Sequence, residues 1–224
     1  MRQRIHVINA SSRTDTGITA DLARSLAWLE GPGLPEIACV TLADGPNGIS
    51  TARDSDDAAP AVLRYVERVA ADPQAAGFVV ACFSDPGVYA ARELTAKPVV
   101  GIGEAGYLAA LALGDVIGTI GVSAATDKTA RLARQLGIAG RVAVHRGLGL
   151  DYGQLQYPAV VTDALVAAGK QLRDEFAVQA IVFAGAGLAA YVAPLEDAVG
   201  LPVVDPTQAA VALVAGQVMQ RSYR

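Results

Sequence analysis

The chain repeats itself, and the repeat limits what it can fold into more than any other feature. "INASSRTD" (Ile8–Asp15) aligns with "IGVSAATD" (Ile120–Asp127), placing Ser11 on Ser123, Thr14 on Thr126 and Asp15 on Asp127. The stretches that follow also align, "TADLARSL" (Thr19–Leu26) with "TARLARQL" (Thr129–Leu136). Later, "FVVACFSDPGVYAA" (Phe78–Ala91) matches "IVFAGAGLAAYVAP" (Ile181–Pro194), and "PVVGIGEA" (Pro98–Ala105) matches "PVVDPTQA" (Pro202–Ala209). Any one match could arise by chance among alanine-rich helices. Four in the same order point to two copies of one unit, starting near Arg4 and near Val116.

Within each copy, short apolar runs alternate with helical patterns. Strands are expected near Ile5–Asn9, Glu36–Leu42, Gly77–Ala81, Pro98–Gly101, Val116–Val122, Val142–His145, Ala180–Ala184 and Val203–Asp205. Helices are expected at Ile18–Leu29, where Ile18, Leu22, Leu26 and Leu29 share a face, and at Ala59–Ala71, Ala105–Leu113, Thr126–Leu136, Val161–Phe176, Ala189–Val199 and Gln208–Met219. Strands alternating with helices form right-handed βαβ units with parallel sheets. The expected fold is therefore α/β: two pseudo-symmetric, Rossmann-like units of parallel sheet flanked by helices. The first takes residues 1–97 plus about 206–224, and the second 98–205. Ligands in such folds bind beyond the carboxyl ends of the strands. Those ends are Asn9–Ser12, Cys82–Asp85, Ser123–Thr126 and Gly185–Gly187. A face-to-face duplication would bring the Cys82 and Gly185 turns to one cleft between the units, from opposite sides.

Composition narrows the function classes. With 52% hydrophobic residues the chain can bury a sizeable core. A net charge of -4 with no dense Lys/Arg run argues against nucleic acid or an anionic membrane as partner. The two cysteines and two histidines have no metal-ligand spacing. The apolar stretch in "MRQRIHVINASS" is too short for a signal peptide, and no window reaches about 18 uninterrupted apolar residues. A soluble, cytoplasmic protein is expected.

Cys82 is the candidate acid/base. A thiol titrates near 8.5 and lower beside a helix N-terminus, and Pro86–Gly87 precede an apparent helix over Val88–Leu94. The alternative is a buried, inert cysteine. That alternative suits Cys39, which lies inside a strand without polar neighbours. Ser11, Ser12, Ser123 and Thr126, with the backbone of Phe83, Ser84, Ala186 and Gly187, could donate hydrogen bonds to an enolate-like oxygen. Each hydroxyl could equally be a helix N-cap. Asn9 could bind a substrate carboxylate or amide, or be a plain turn residue. Asp85 is expected to cap the helix that follows it. "GIGEAG" (Gly101–Gly106) has the G-x-G-x-x-G form. It lacks the acidic residue on the next strand that a dinucleotide site needs, since Asp115 precedes that strand and Asp127 follows it. His6 reads as a core histidine, and His145 as either a surface residue or one reaching a cleft.

Taken together, these residues resemble the aspartate/glutamate/hydantoin racemase superfamily, in its hydantoin-racemase-like branch. "VINASS" (Val7–Ser12) is similar to a Val-Ile-Asn-Pro-Asn motif, and "GPNGI" (Gly45–Ile49) to a Gly-Pro loop. "ACFSDPGVYAARE" (Ala81–Glu93) followed by "PVVGIGEAG" carries the first catalytic cysteine, at Cys82. "IVFAGAGL" (Ile181–Leu188) falls where the family has Gly-Cys-Ala-Gly, so the second cysteine is replaced by Gly185. The resemblance implies a cofactor-independent racemase or epimerase of a small carboxylate, amino-acid derivative or hydantoin, acting as a homo-oligomer without metal. One-sided protonation, as in arylmalonate decarboxylases, is the alternative, since those enzymes keep the second cysteine and have glycine in place of the first. A binding protein without catalysis is a third reading. Asn9, Ser11, Ser12, Phe83, Ser84, Ser123, Gly185, Ala186 and Gly187 would bind substrate.

Overall fold

The computed structural model describes residues 2–14, 17–122, 127–150 and 153–221. The chain divides into two compact units, Met1–Ala105 with Thr207–Arg224, and Gly106–Pro206. Strands and helices alternate throughout. The first half runs β1 (Arg4–Asn9), α1 (Ile18–Ser25), β2 (Glu36–Thr41), α2 (Ala52–Ala70), β3 (Ala75–Val80), α3 (Val88–Glu93), β4 (Val99–Gly101) and α4 (Ile102–Leu111). The second runs β5 (Ile117–Gly121), α5 (Asp127–Gln135), β6 (Val142–Gly147), α6 (Pro158–Phe176), β7 (Ala180–Phe183), α7 (Val192–Val199), β8 (Val203–Val204) and α8 (Pro206–Arg221).

Each unit holds one four-stranded, all-parallel sheet. The orders are β2-β1-β3-β4 and β6-β5-β7-β8, so the duplication holds strand for strand. The central strands explain the apolar runs. All six residues of β3 are buried, as are five of six in β1, because helices cover both faces of a parallel sheet. The edge strand β2 is exposed or half-buried along its length, and Cys39 sits there. In the first unit, Ala58, Val62 and Val66 of α2 pack on Ile8, Phe78 and Val80. In the second, Val161, Leu165 and Leu172 of α6 pack on Ile120, Ile181 and Phe183.

Several helix boundaries differ from the sequence expectation. Helix α2 starts at Ala52 rather than Ala59. Thr51 and Asp54 form a capping box, with Asp54 N–H donating to Thr51 Oγ1 (3.1 Å) and Thr51 N–H to Asp54 Oδ2 (2.8 Å). Pro60 lies inside this helix on its exposed side. The Ile18–Leu29 pattern splits into α1 and a 3₁₀ turn at Ala27–Leu29, and Ala189–Tyr191 is a 3₁₀ turn ahead of α7. No helix among the described residues is long and apolar enough to cross a membrane.

Candidate active site

In each sheet the chain leaves the first strand to one side and returns on the other. The order therefore reverses between β1 and β3 in the first unit, and ligand crevices form beyond strand ends at such a point. The two strands pair in parallel up to Ile8 and Val80, and Ala81 N–H donates to the Ile8 carbonyl (2.8 Å). Asn9 and Cys82 thus emerge at the same end of neighbouring strands.

Cys82 is half-buried, and its Sγ lies 3.2 Å from Ser84 Oγ. The Cys82 carbonyl accepts from Asp85 N–H (2.9 Å), closing a tight turn over residues 82–85. Phe83 is buried within that turn. Cys39 was expected in the core but is half-buried on the edge strand, and burial pushes its thiol up to about 11. Helix α3 is only six residues long and begins at Val88, behind Gly87 in the left-handed region (φ 72°).

Asn9 is 5% exposed, and its amide orientation is fixed by chemistry. Ser11 N–H (3.2 Å) and Ser11 Oγ (3.1 Å) both donate to one side-chain atom, which must be Oδ1 because an N–H cannot donate to an NH₂ group. The opposite atom, Nδ2, is buried with no hydrogen-bond partner among the described residues. A buried orphan donor at a strand end is what a ligand acceptor would satisfy. Ser11 therefore orients Asn9, and Ser12 is tied by its N–H to the Pro46 carbonyl (2.9 Å). Neither serine caps α1, whose N-cap is Gly17. The Gly45–Pro46 loop sits tight against the end of β1. A side chain at Gly45 would overlap the Ala10 carbonyl oxygen.

Asp85 caps a helix, but not the one expected. Its carboxyl group accepts from Gly103 N–H and Glu104 N–H (2.8 Å each), at the start of α4 rather than α3. It is buried, it holds φ 51° without being glycine, and burial pushes it up to about 8. The "GIGEAG" motif gains its meaning here. Gly101 is small because a side chain there would fall into the Asp85 carboxyl group. Glu104 accepts from Gly101 N–H (3.1 Å) and pairs with Arg92, which also donates to the Val99 carbonyl (2.9 Å). The helix-start N–H groups that would cradle a pyrophosphate in a dinucleotide site are thus occupied by the chain's own carboxyl group.

In the second unit, Gly185, Ala186 and Gly187 follow β7, all half-buried. Gly187 has φ 87°, which favours glycine. Gly185 is different. Its φ lies outside the left-handed range, and a Cβ built on it meets nothing within 4 Å among the described residues. Ser123 and Thr126 lie outside the described residues. His145 is buried rather than at the surface, and its Nδ1 lies 2.9 Å from Thr119 Oγ1. His6 is buried as expected, with Nδ1 2.9 Å from the Tyr65 hydroxyl and its ring stacked on Phe78. Among the described residues no group of three or more His, Cys, Asp or Glu could hold a metal ion.

A family described as Asp/Glu/Hydantoin racemase matches residues 5–214. The hydantoin racemase of Paenarthrobacter aurescens is 30% identical over 211 residues, covering 92% of this chain and 87% of that protein. The structure of allantoin racemase from Klebsiella pneumoniae superposes with a TM-score of 0.89 at 27% identity, covering 98% of this chain and 89% of that one. Arylmalonate decarboxylase shares the fold at a TM-score of 0.65 and 20% identity, over 96% of this chain and 92% of that one. With its two parallel-sheet units and its sequence matched over residues 5–214, the chain belongs to the Asp/Glu/hydantoin racemase family and is an enzyme of the racemase class.

Proposed function

We propose that the protein is a cofactor-independent racemase or epimerase of a hydantoin or similar small amino-acid derivative, with Cys82 as the proton-transfer group. The observation that carries this reading is the end of β1 and β3. A half-buried thiol lies 3.2 Å from a hydroxyl, beside a buried amide donor that lacks a partner. Removing the proton next to a carbonyl leaves charge on the oxygen, and Asn9 Nδ2 is a donor of the right kind to hold it. A positioned acid/base contributes roughly 10²–10⁴ in rate. The hydantoin racemase relatives support the substrate class.

Gly185 stands where the family's second cysteine would fall, so the second proton comes from another side chain, from water, or from Cys82 itself after exchange. Among the described residues nothing lies within 4 Å of a Cβ built on Gly185. The test is solvent deuterium incorporation at C5 of an enantiopure 5-substituted hydantoin, read by NMR alongside loss of optical rotation. Both signals are expected, and both should collapse in Cys82→Ser. Full activity in that variant would sink the reading.

The single thiol also favours a second reading, one-sided protonation of a carbanion after loss of carboxylate from a malonate. Carbon dioxide release from arylmalonates, with no exchange on hydantoins, would select it.

A further inference from the structure

We propose that Asp85 is a positioning residue for Cys82: by tying the Cys82–Asp85 turn to the start of α4 it holds the Ser84 hydroxyl against the Cys82 thiol. The inference rests on the reading of Cys82 as the proton-transfer group. Three observations carry it. Asp85 adopts φ 51°, a conformation that costs a non-glycine residue roughly 1–2 kcal/mol and needs compensation. Its N–H closes the turn onto the Cys82 carbonyl (2.9 Å), while its side chain accepts from Gly103 and Glu104 N–H at 2.8 Å. One residue thus fixes the turn from inside and from outside. The partner strand also accommodates it, since a side chain at Gly101 would overlap the carboxyl group.

Helix α3 starts beyond the turn at a left-handed glycine without a side-chain cap. The charged groups facing Asp85 are Glu104 of α4 and Arg92 of α3, which pair with each other. The consequence for chemistry is geometric. A Ser84 hydroxyl 3.2 Å from Sγ stabilises the thiolate by donating to it, and only a fixed turn keeps it there.

The test uses four single variants and one double. Asp85→Gly removes the tie and relieves the left-handed backbone. Asp85→Asn keeps the shape and one acceptor. Ser84→Ala removes the hydroxyl directly. Two readouts are taken: turnover of an enantiopure 5-substituted hydantoin, and the pH profile of iodoacetamide alkylation at Cys82, resolved from Cys39 by peptide mass. In Asp85→Gly, kcat should fall at least tenfold with KM within about twofold, and the alkylation midpoint should rise to that of Ser84→Ala. The Ser84→Ala/Asp85→Gly double variant should lose no more than the worse single, because both remove one contact. Asp85→Asn should recover part of the loss. Additive losses, an unchanged profile, or a midpoint that falls would overturn the proposal. Cys82→Ala separates the two claims. If it keeps full turnover the catalytic reading fails, whereas if it is inactive while Asp85→Gly matches wild type only the positioning role fails.

Discussion

Gly101→Ala is a small change that the structure makes expensive. The strand end itself would accept alanine, because Gly101 is not in the left-handed region. The difficulty is the space, since the new Cβ overlaps the Asp85 carboxyl group. That group cannot swing aside cheaply, being buried and bonded to Gly103 and Glu104 N–H. Expelling it orphans two buried donors at the start of α4, each at about 1–3 kcal/mol, so the variant should lose about 4 kcal/mol. The measurement is urea unfolding followed by circular dichroism. The decisive comparison is Gly101→Ala/Asp85→Gly. With the carboxyl group already gone the clash is gone, so alanine at 101 should add less than about 0.5 kcal/mol to the cost of Asp85→Gly alone. A loss below 1 kcal/mol in the single variant, or full additivity in the double, would refute the steric pairing of residues 85 and 101.

Three further outcomes are expected. Gly185→Cys should fold with little loss of stability, because its Cβ meets no neighbour, and should raise racemisation of hydantoin enantiomers by a factor on the order of ten to a hundred as a second acid/base enters, measured by polarimetry. Pro60→Ala should stabilise the protein, since a proline inside α2 costs about 3 kcal/mol in helix propensity, offset by about 1 kcal/mol of unfolded-chain entropy; a rise of several degrees in Tm is the readout. Asp85 is held up to about 8 by burial against an ordinary 3.8, so across that window the folded chain keeps a proton that the unfolded chain has released. Stability should therefore fall as pH rises from about 4 and level off above about 8, a decline that Asp85→Asn should flatten in pH-dependent thermal melts.

The layout of the sheets was legible because central parallel strands are apolar on both faces and end abruptly. Val79 and Val80 running into Cys82–Asp85 gave such an edge. The internal repeat then supplied the pairing of elements between copies, and both sheets share one strand order. The start of α2 was hidden. "ARDSDD" ahead of Pro60 looks like a polar loop, and only the reciprocal Thr51–Asp54 cap turns it into a first helical turn. The candidate residues could be picked from the sequence, but their bonding could not. Cys82, Asn9 and Ser11 stood out as polar groups at strand ends. That Ser11 points Asn9 depends on two hydrogen bonds that no spacing rule encodes. Asp85 was expected to cap its nearest helix, yet it caps one that begins at Ile102. The available clue was the run of glycines at 101 and 103, which sequence patterns associate with phosphates rather than with a carboxyl group from the same chain.

The duplication distinguishes changes forced by packing from changes that are free. In the alignment of the two copies Asp85 falls on Leu188, and Gly101 falls on Asp205. All four are buried. The first copy thus carries its acid on the turn after the third strand and leaves the end of the fourth bare. The second carries its acid at the end of the fourth strand, with an aliphatic side chain on the turn. In the first copy the two positions are sterically coupled, so residue 101 can gain a side chain only once the acid at 85 is gone. Cys82 and Gly185 form the other divergent pair, and no such constraint acts on them. Among the described residues nothing crowds Gly185, and no left-handed backbone demands it. Packing among the described residues accounts for the glycine at 101 and does not account for the glycine at 185. The gain or absence of racemisation in Gly185→Cys measures what a thiol at that position does.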